Sequence, residues 1–176
     1  MVFLVSAQLA QRRAIGRRGP TLRTTAGLPA VAPYFFWVPY VVIALRPGPE
    51  IALPEAVRWV GLALVVAGVA FALWAIASLG RHYDLVLEIH ADHELVRLGP
   101  YALVRHPVYS GLGLHFAGAC LATGNLLLIA GTLLVSFPAF AARARAEEAL
   151  LRERFGHASD AYAREVGMFV PHLTGC

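Results

Sequence analysis

The sequence predicts an all-α, polytopic integral membrane bundle of about four transmembrane helices. Three observations predict it. Of the 176 residues, 58% are apolar and only 15% are charged, against about 45–50% and about 25% in ordinary soluble domains. One segment, Trp59–Leu79, runs for 21 residues without a charge, long enough to cross a bilayer. Arginines collect on one side of the bundle that these segments imply.

The first apolar segment runs from about Pro29 to Leu45. Pro33 and Pro39 predict a kink in it, and Tyr34, Trp37 and Tyr40 suit a membrane interface. Trp59–Leu79 is the second. The third starts at Pro107, whose missing N–H costs nothing at the first helical position, and ends near Thr123. The fourth runs from Leu126 to about Ala142, with Pro138 as an expected kink. Thr123-Gly124-Asn125 leaves room only for an antiparallel turn between the last two. Residues 1–10 are apolar and lack a preceding basic region, so they do not read as a secretory signal. At 1.5 Å per residue they would reach about 15 Å. Residues 1–28 are therefore read as an N-terminal stump and basic cytosolic segment, and 29–176 as one membrane domain.

All 15 basic residues are arginine, giving a net charge of +4. With four spans, thirteen of them share one side: Arg12, Arg13, Arg17, Arg18 and Arg23 before the first span, Arg81, Arg97 and Arg105 between the second and third, and five from Arg143 to Arg164 after the fourth. Only Arg46 and Arg58 fall opposite. The positive-inside rule puts the thirteen, and both termini, in the cytoplasm of a multi-pass protein of the inner or cytoplasmic membrane. The low charge argues against a nucleic-acid partner and against disorder. Two cysteines give no disulfide framework, and Cys176 cannot begin a prenylation box.

Polar chemistry concentrates in two stretches on the arginine side, residues 80–106 and 143–172. Together they could enclose a pocket, aqueous on one side and apolar on the other. The first holds His82, His90, His93 and His106. The second begins as an Ala-rich helix, with Glu148 and Arg152 spaced for an i,i+4 pair and Gly156 as its cap. Arg105-His106-Pro107 reads either as an anion-binding turn at a helix start or as a membrane anchor. Glu147 and Glu148 read either as a salt-bridged surface or as a pair of which one turns inward. Neighbours on a helix point about 100° apart, so at most one is expected to do so well. His115, two turns into the third span, shares a face with Gly111 and Gly118. It is either an intramembrane functional group or a neutral histidine bonded to a neighbouring helix. His90 and His93 at i,i+3 lack a third ligand at the usual spacing, so no metal site is expected.

The run HELVRLGPYALVRHPVYSG from His93 to Gly111, the apolar hairpin after it, the RARAEEALL helix and the terminal Val-Pro-His together resemble the isoprenylcysteine carboxyl methyltransferase family, grouped with the membrane phospholipid methyltransferases. The resemblance covers roughly residues 60–172. It implies an integral-membrane methyltransferase that takes S-adenosyl-L-methionine as cofactor and a lipophilic small molecule or lipid as substrate. The implied acceptor is an isoprenylcysteine-like carboxylate, with a phospholipid amine or a small thiol as alternatives. By the same resemblance His93, Leu95, Val96, Tyr101, His106, Pro107, Val108, Tyr109 and Glu147 hold the cofactor. Arg143 faces the methyl acceptor, and Arg105 belongs to the same catalytic motif. A histidine-liganded haem or metal protein and a non-catalytic membrane partner are the readings from other classes.

Overall fold

The computed structural model describes residues 21–25, 37–45, 48–79, 87–90 and 95–172. Among these residues five helices form the body: α1 Trp37–Leu45, α2 Glu55–Leu79, α3 Pro107–Thr123, α4 Leu126–Phe155 and α5 His157–Glu165. A 3-10 turn, Gly99–Ala102, precedes α3. The body is helical, as the sequence predicts. In addition, the short strands β1 Thr21–Thr25 and β2 Leu87–His90 pair antiparallel, Thr25 opposite Leu87 and Thr21 opposite His90, with an irregularity between Thr21 and Arg23.

The antiparallel pair α2 and α3 is the spine. Gly61 and Gly68 on α2 meet Gly118 and Gly111 on α3, and a Cβ on Gly68 would lie 2.5 Å from the Gly111 carbonyl oxygen. Without side chains at these crossings the two backbones touch, which is how small residues drive packing where no water is expelled. The seven-residue spacing matches on both helices and keeps the contact on one face. Ala72, Ile76, Leu112, Phe116 and Ala119 continue that face, joined by Tyr40, Leu128 and Phe140 from the other helices.

The outer faces are apolar and exposed. Trp59 is 63% exposed and Trp74 49%, with Leu62 and Val66 between them. Among the described residues two helices are long and apolar enough to span a membrane, α2 with 25 residues and α4 with 30, and only 28% of the most apolar stretch of each is buried. A core helix of a soluble protein would bury most of that surface. These outer faces have the character of lipid-facing surface.

At the end of the bundle away from the polar stretches, Gly124 closes α3 with φ 66°, a conformation glycine adopts freely. Asn125 then caps α4, its side-chain oxygen accepting from the Leu127 and Leu128 amides at 3.0 and 3.1 Å. The loop before α2 closes on this turn, with Ile51 N–H donating to Gly124 O and Leu126 N–H to Pro49 O, both at 2.9 Å.

The predicted fourth span and the helix after it are one element. α4 passes Pro138 without ending, by way of a π-helical turn at Thr132–Ser136. Proline has no N–H and crowds the carbonyl four residues back. The wider turn, with Phe137 N–H donating to Thr132 O, absorbs both defects before the proline. The polar end of α4 is therefore rigidly continuous with its apolar half. Of the other expected spans, α3 has 17 residues, and only Trp37–Leu45 of the first falls within the described helix α1.

Candidate active site

The polar end of the bundle is assembled by three pieces of chain: the Arg105-His106-Pro107 corner, the polar half of α4, and the segment after α5. Pro107 is fully buried at the first position of α3, with its missing N–H placed where the helix needs none. This fixes His106 at the helix start and turns Tyr109 toward α4.

Tyr109 stands at the centre. Its hydroxyl donates to Glu147 Oε1 at 2.5 Å and accepts from Arg143 Nε at 2.6 Å. Its ring stacks on Phe140, one α4 turn nearer the apolar half, at 5.9 Å and 17°. Arg143 is 2% exposed, and its Nε also lies 3.3 Å from Glu147 Oε1. A guanidinium this buried requires its counter-charge, and Glu147 supplies it one turn along.

His106 is 6% exposed. Its Nδ1 lies 3.3 Å from Glu147 Oε2 and its Nε2 3.3 Å from Glu148 Oε1. Both glutamates thus turn inward, against the expectation that only one would. The imidazole sits over the gap between two neighbouring positions, so the 100° between their side chains is spanned by one ring. Burial opposes a charged histidine, but the two carboxylates outweigh it and push the His106 pKa above 6.5. Glu148 is likewise opposed by burial, yet His106 and Arg105 hold its carboxyl down to about 2.

Arg105 is a tether. Its Nε and Nη2 both lie 2.7 Å from Glu148 Oε1. Its Nη1 donates to the Ala163 carbonyl at 2.9 Å and to the Val166 carbonyl. The expected i,i+4 pair of Glu148 with Arg152 is absent from this geometry. Glu148 goes to Arg105, and Arg152 Nε goes to Asp160 at 2.7 Å.

The end of the second polar stretch docks on the corner, a contact the sequence did not announce. Arg105 N–H donates to Gly167 O at 2.8 Å, His106 N–H to Met168 O at 3.0 Å and Ser110 Oγ to Phe169 O at 2.7 Å. The chain after α5 therefore runs alongside the corner as a short parallel bridge of Val104 with Gly167. Tyr162 closes the arrangement through a 2.6 Å bond to Tyr101 O. Burial lifts its pKa to about 12, so it remains a donor. The one available signal was the apolar run Met168-Phe169-Val170 after a polar helix.

The structure brings together Arg105, His106, Pro107, Tyr109, Arg143 and Glu147 of the expected site residues, while Tyr101 is buried and tied through its carbonyl to Tyr162. Val108 packs against the core. Leu95 and Val96 are half-buried ahead of the 3-10 turn. His93 and His82 lie outside the described residues, as does the side chain of His90. His115 stands apart from the site. It bonds the Val65 backbone on α2 and packs on Tyr40 at 5.9 Å, the helix-bonded alternative. Among the described residues no group of three His, Cys, Asp or Glu could hold a metal ion.

The chain is similar to several known proteins. A family model described as phospholipid methyltransferase matches residues 56–158. A probable protein-S-isoprenylcysteine O-methyltransferase of Oryza sativa subsp. indica is 33% identical over 127 residues, covering 71% of this chain and 66% of the relative. The protein-S-isoprenylcysteine O-methyltransferase of Schizosaccharomyces pombe is 36% identical over 99 residues, covering 55% and 42%. The solved structure of a eukaryotic intramembrane Ras methyltransferase, isoprenylcysteine carboxyl methyltransferase, superposes with a TM-score of 0.60 at 28% identity, covering 84% of this chain and 52% of that one. The chain thus spans about two thirds or less of the length of the proteins it matches.

Proposed function

The chain belongs to the phospholipid methyltransferase family, and we propose that it is a membrane methyltransferase that takes S-adenosyl-L-methionine and methylates an isoprenylcysteine-like carboxylate. The observation that carries the proposal is the Tyr109–Glu147 bond. It joins two segments 38 residues apart into one polar surface at the end of an apolar bundle.

The donor set suits a zwitterion bearing a sulfonium. Two carboxylates face a histidine held toward its cationic form, an arginine tether and a buried guanidinium. His106 and the N-terminal end of α3 suit the carboxylate of the cofactor. Glu147 suits its ammonium or ribose hydroxyls. Tyr101 and Tyr109 suit the adenine or the sulfonium, and a desolvated cation–π contact is worth about 2 kcal/mol. His93, Leu95, Val96, Pro107 and Val108 complete the proposed cofactor wall. When bound, the cofactor supplies an already activated methyl group.

The protein's remaining task is placement. A carboxylate acceptor is ionised at neutral pH and needs no general base. Arg143 would orient it, and Arg105 would keep the corner that faces it closed. Holding nucleophile and methyl in line can lower the barrier by several kcal/mol. The buried position of Arg143, beyond Phe140 at the boundary of apolar and polar halves, suits an acceptor whose head is charged and whose tail lies in lipid.

In this reading α1 to α4 supply four spans, both termini are cytosolic and the site faces the cytoplasm. A reporter fused after Cys176 is expected to read cytoplasmic; an exterior reading breaks the span count. The test of function is a labelled methyl-transfer assay on extracted membrane lipids and a panel of lipophilic carboxylates, amines and thiols. Transfer to the carboxylates is expected. Transfer confined to amines or thiols reassigns the acceptor, and no transfer to any of them by cofactor-binding protein makes this a non-catalytic relative.

A further inference from the structure

Two adjacent glutamates reach the same imidazole, but they are held differently. Oε1 of Glu148 accepts from Nε and Nη2 of Arg105 and lies against Nε2 of His106. The remaining amino group of Arg105 is committed to the Ala163 and Val166 carbonyls. Glu148 is therefore fixed from two directions, by Arg105 and by His106. Glu147 is held at short range by the Tyr109 hydroxyl and lies at a longer 3.3 Å from both Arg143 Nε and His106 Nδ1, with no bidentate guanidinium clamp of the kind that fixes Glu148. It can exchange partners when a ligand presents an ammonium or hydroxyl.

We propose that Glu148, clamped by Arg105, is a positioning residue that holds the His106 ring in place and keeps its Nε2 proton, leaving Nδ1 and Glu147 to answer the ligand. The functional part of this inference rests on the proposed cofactor site; the geometric part does not. Which nitrogen of a histidine carries the proton is set by the bond the other nitrogen makes. Here Nε2 faces the carboxylate clamped by Arg105 and Nδ1 faces Glu147, both at 3.3 Å, so once Glu147 turns to a ligand a neutral His106 presents Nδ1 as an acceptor and a charged one presents it as a donor. The groups facing the ring are Arg105 and Tyr109 from the start of α3, and Arg143, Glu147 and Glu148 from α4. The last segment adds the Phe169 ring at 6.0 Å.

The roles of the pair follow from the same contrast. Removing Glu148 frees Arg105 as well as His106, so both the ring and the Ala163–Val166 attachment loosen. Removing Glu147 leaves the ring where Glu148 holds it and takes away the exchangeable acceptor together with the counter-charge of Arg143. A merely structural Glu148 would lower stability without changing how His106 titrates.

The experiment is a pH titration of the full-length protein in detergent, with 15N-labelled histidine and His106 assigned by difference against His106→Gln. In the protein without ligand, the His106 midpoint is expected above 6.5, and the neutral ring is expected to keep its proton on Nε2. Glu148→Gln should lower the midpoint by about one unit or more, with Glu148→Asp in between. An unmoved midpoint overturns the proposal, and so does a neutral ring protonated on Nδ1, which is read on wild type alone should Glu148→Gln not fold. With S-adenosyl-L-methionine added, the alkaline limb of affinity should move down with the midpoint in Glu148→Gln; a fixed limb removes the positioning role. Failure of wild type to bind the cofactor counts against the proposed function and leaves the histidine titration standing.

Discussion

The hydroxyl of Tyr109 is shared between two residues of α4 one turn apart, accepting from Arg143 at 2.6 Å and donating to Glu147 at 2.5 Å. A single phenol therefore sets the distance between the group proposed to face the acceptor and the group proposed to face the cofactor. Tyr109→Phe keeps the stack on Phe140 and deletes only the hydroxyl. A hydrogen bond to a charged group is worth about 1.5–3 kcal/mol, so cofactor affinity should fall roughly 10- to 100-fold with little loss of fold. Calorimetric titration of the detergent-purified variant reads this directly, and unchanged affinity counts against the shared hydroxyl.

Arg143→Lys keeps a charge and loses the planar fork. If Arg143 faces the acceptor, methyl transfer should drop by at least 10-fold more than cofactor affinity does. Comparing single-turnover rate with calorimetric affinity separates the two. Equal losses would move Arg143 into the cofactor shell.

Much of the spine was legible. The bounds Pro107 and Thr123 of α3 follow from a proline at one end and a glycine-asparagine turn at the other, both local signals with one physical meaning. The glycines Gly111 and Gly118 also marked a contact face, although their partners Gly61 and Gly68 lie some fifty residues away and carry no mark of that pairing. Two things were not readable. The continuity of α4 through Pro138 depends on a π turn, which no residue pattern announces. The pairing of Glu148 with Arg105, rather than with nearby Arg152, is decided by the 43-residue excursion that brings the corner to α4. Local spacing favoured the wrong partner because a part-buried, two-pronged contact outweighs an exposed helical pair.

Gly68→Ala tests the spine. Its Cβ would sit 2.5 Å from the Gly111 carbonyl and from the His115 amide, both backbone atoms that cannot turn aside. The helices must separate, at a cost of about 1–3 kcal/mol. Thermal unfolding in detergent should show a clear drop in midpoint. Gly131→Ala, which meets nothing within 4 Å, is the matched control and should not lower it.

The pH dependence of stability follows from two shifts of opposite sign. Glu148 is held down to about 2 from an ordinary 4.5, so its contribution is complete above about 4.5 and is lost as pH falls toward 2. His106 is raised above 6.5, so its contribution is complete below about 6.5 and is lost as pH rises through the raised value. The pair stabilises most between about 4.5 and 6.5. Unfolding midpoints measured from about pH 3 to about pH 9 should peak in that window for wild type. Glu148→Gln should flatten the acid side.

Whether α3 and the polar half of α4 build one cofactor site is tested most directly by a double-mutant cycle on S-adenosyl-L-methionine affinity. Wild type, Tyr109→Phe, Glu147→Gln and the double variant are titrated calorimetrically. Wild type should bind, and the double variant should lose little more than either single one, a coupling of about 1 kcal/mol or more. Losses that simply add, or a wild type that does not bind, would contradict a single site spanning the two segments.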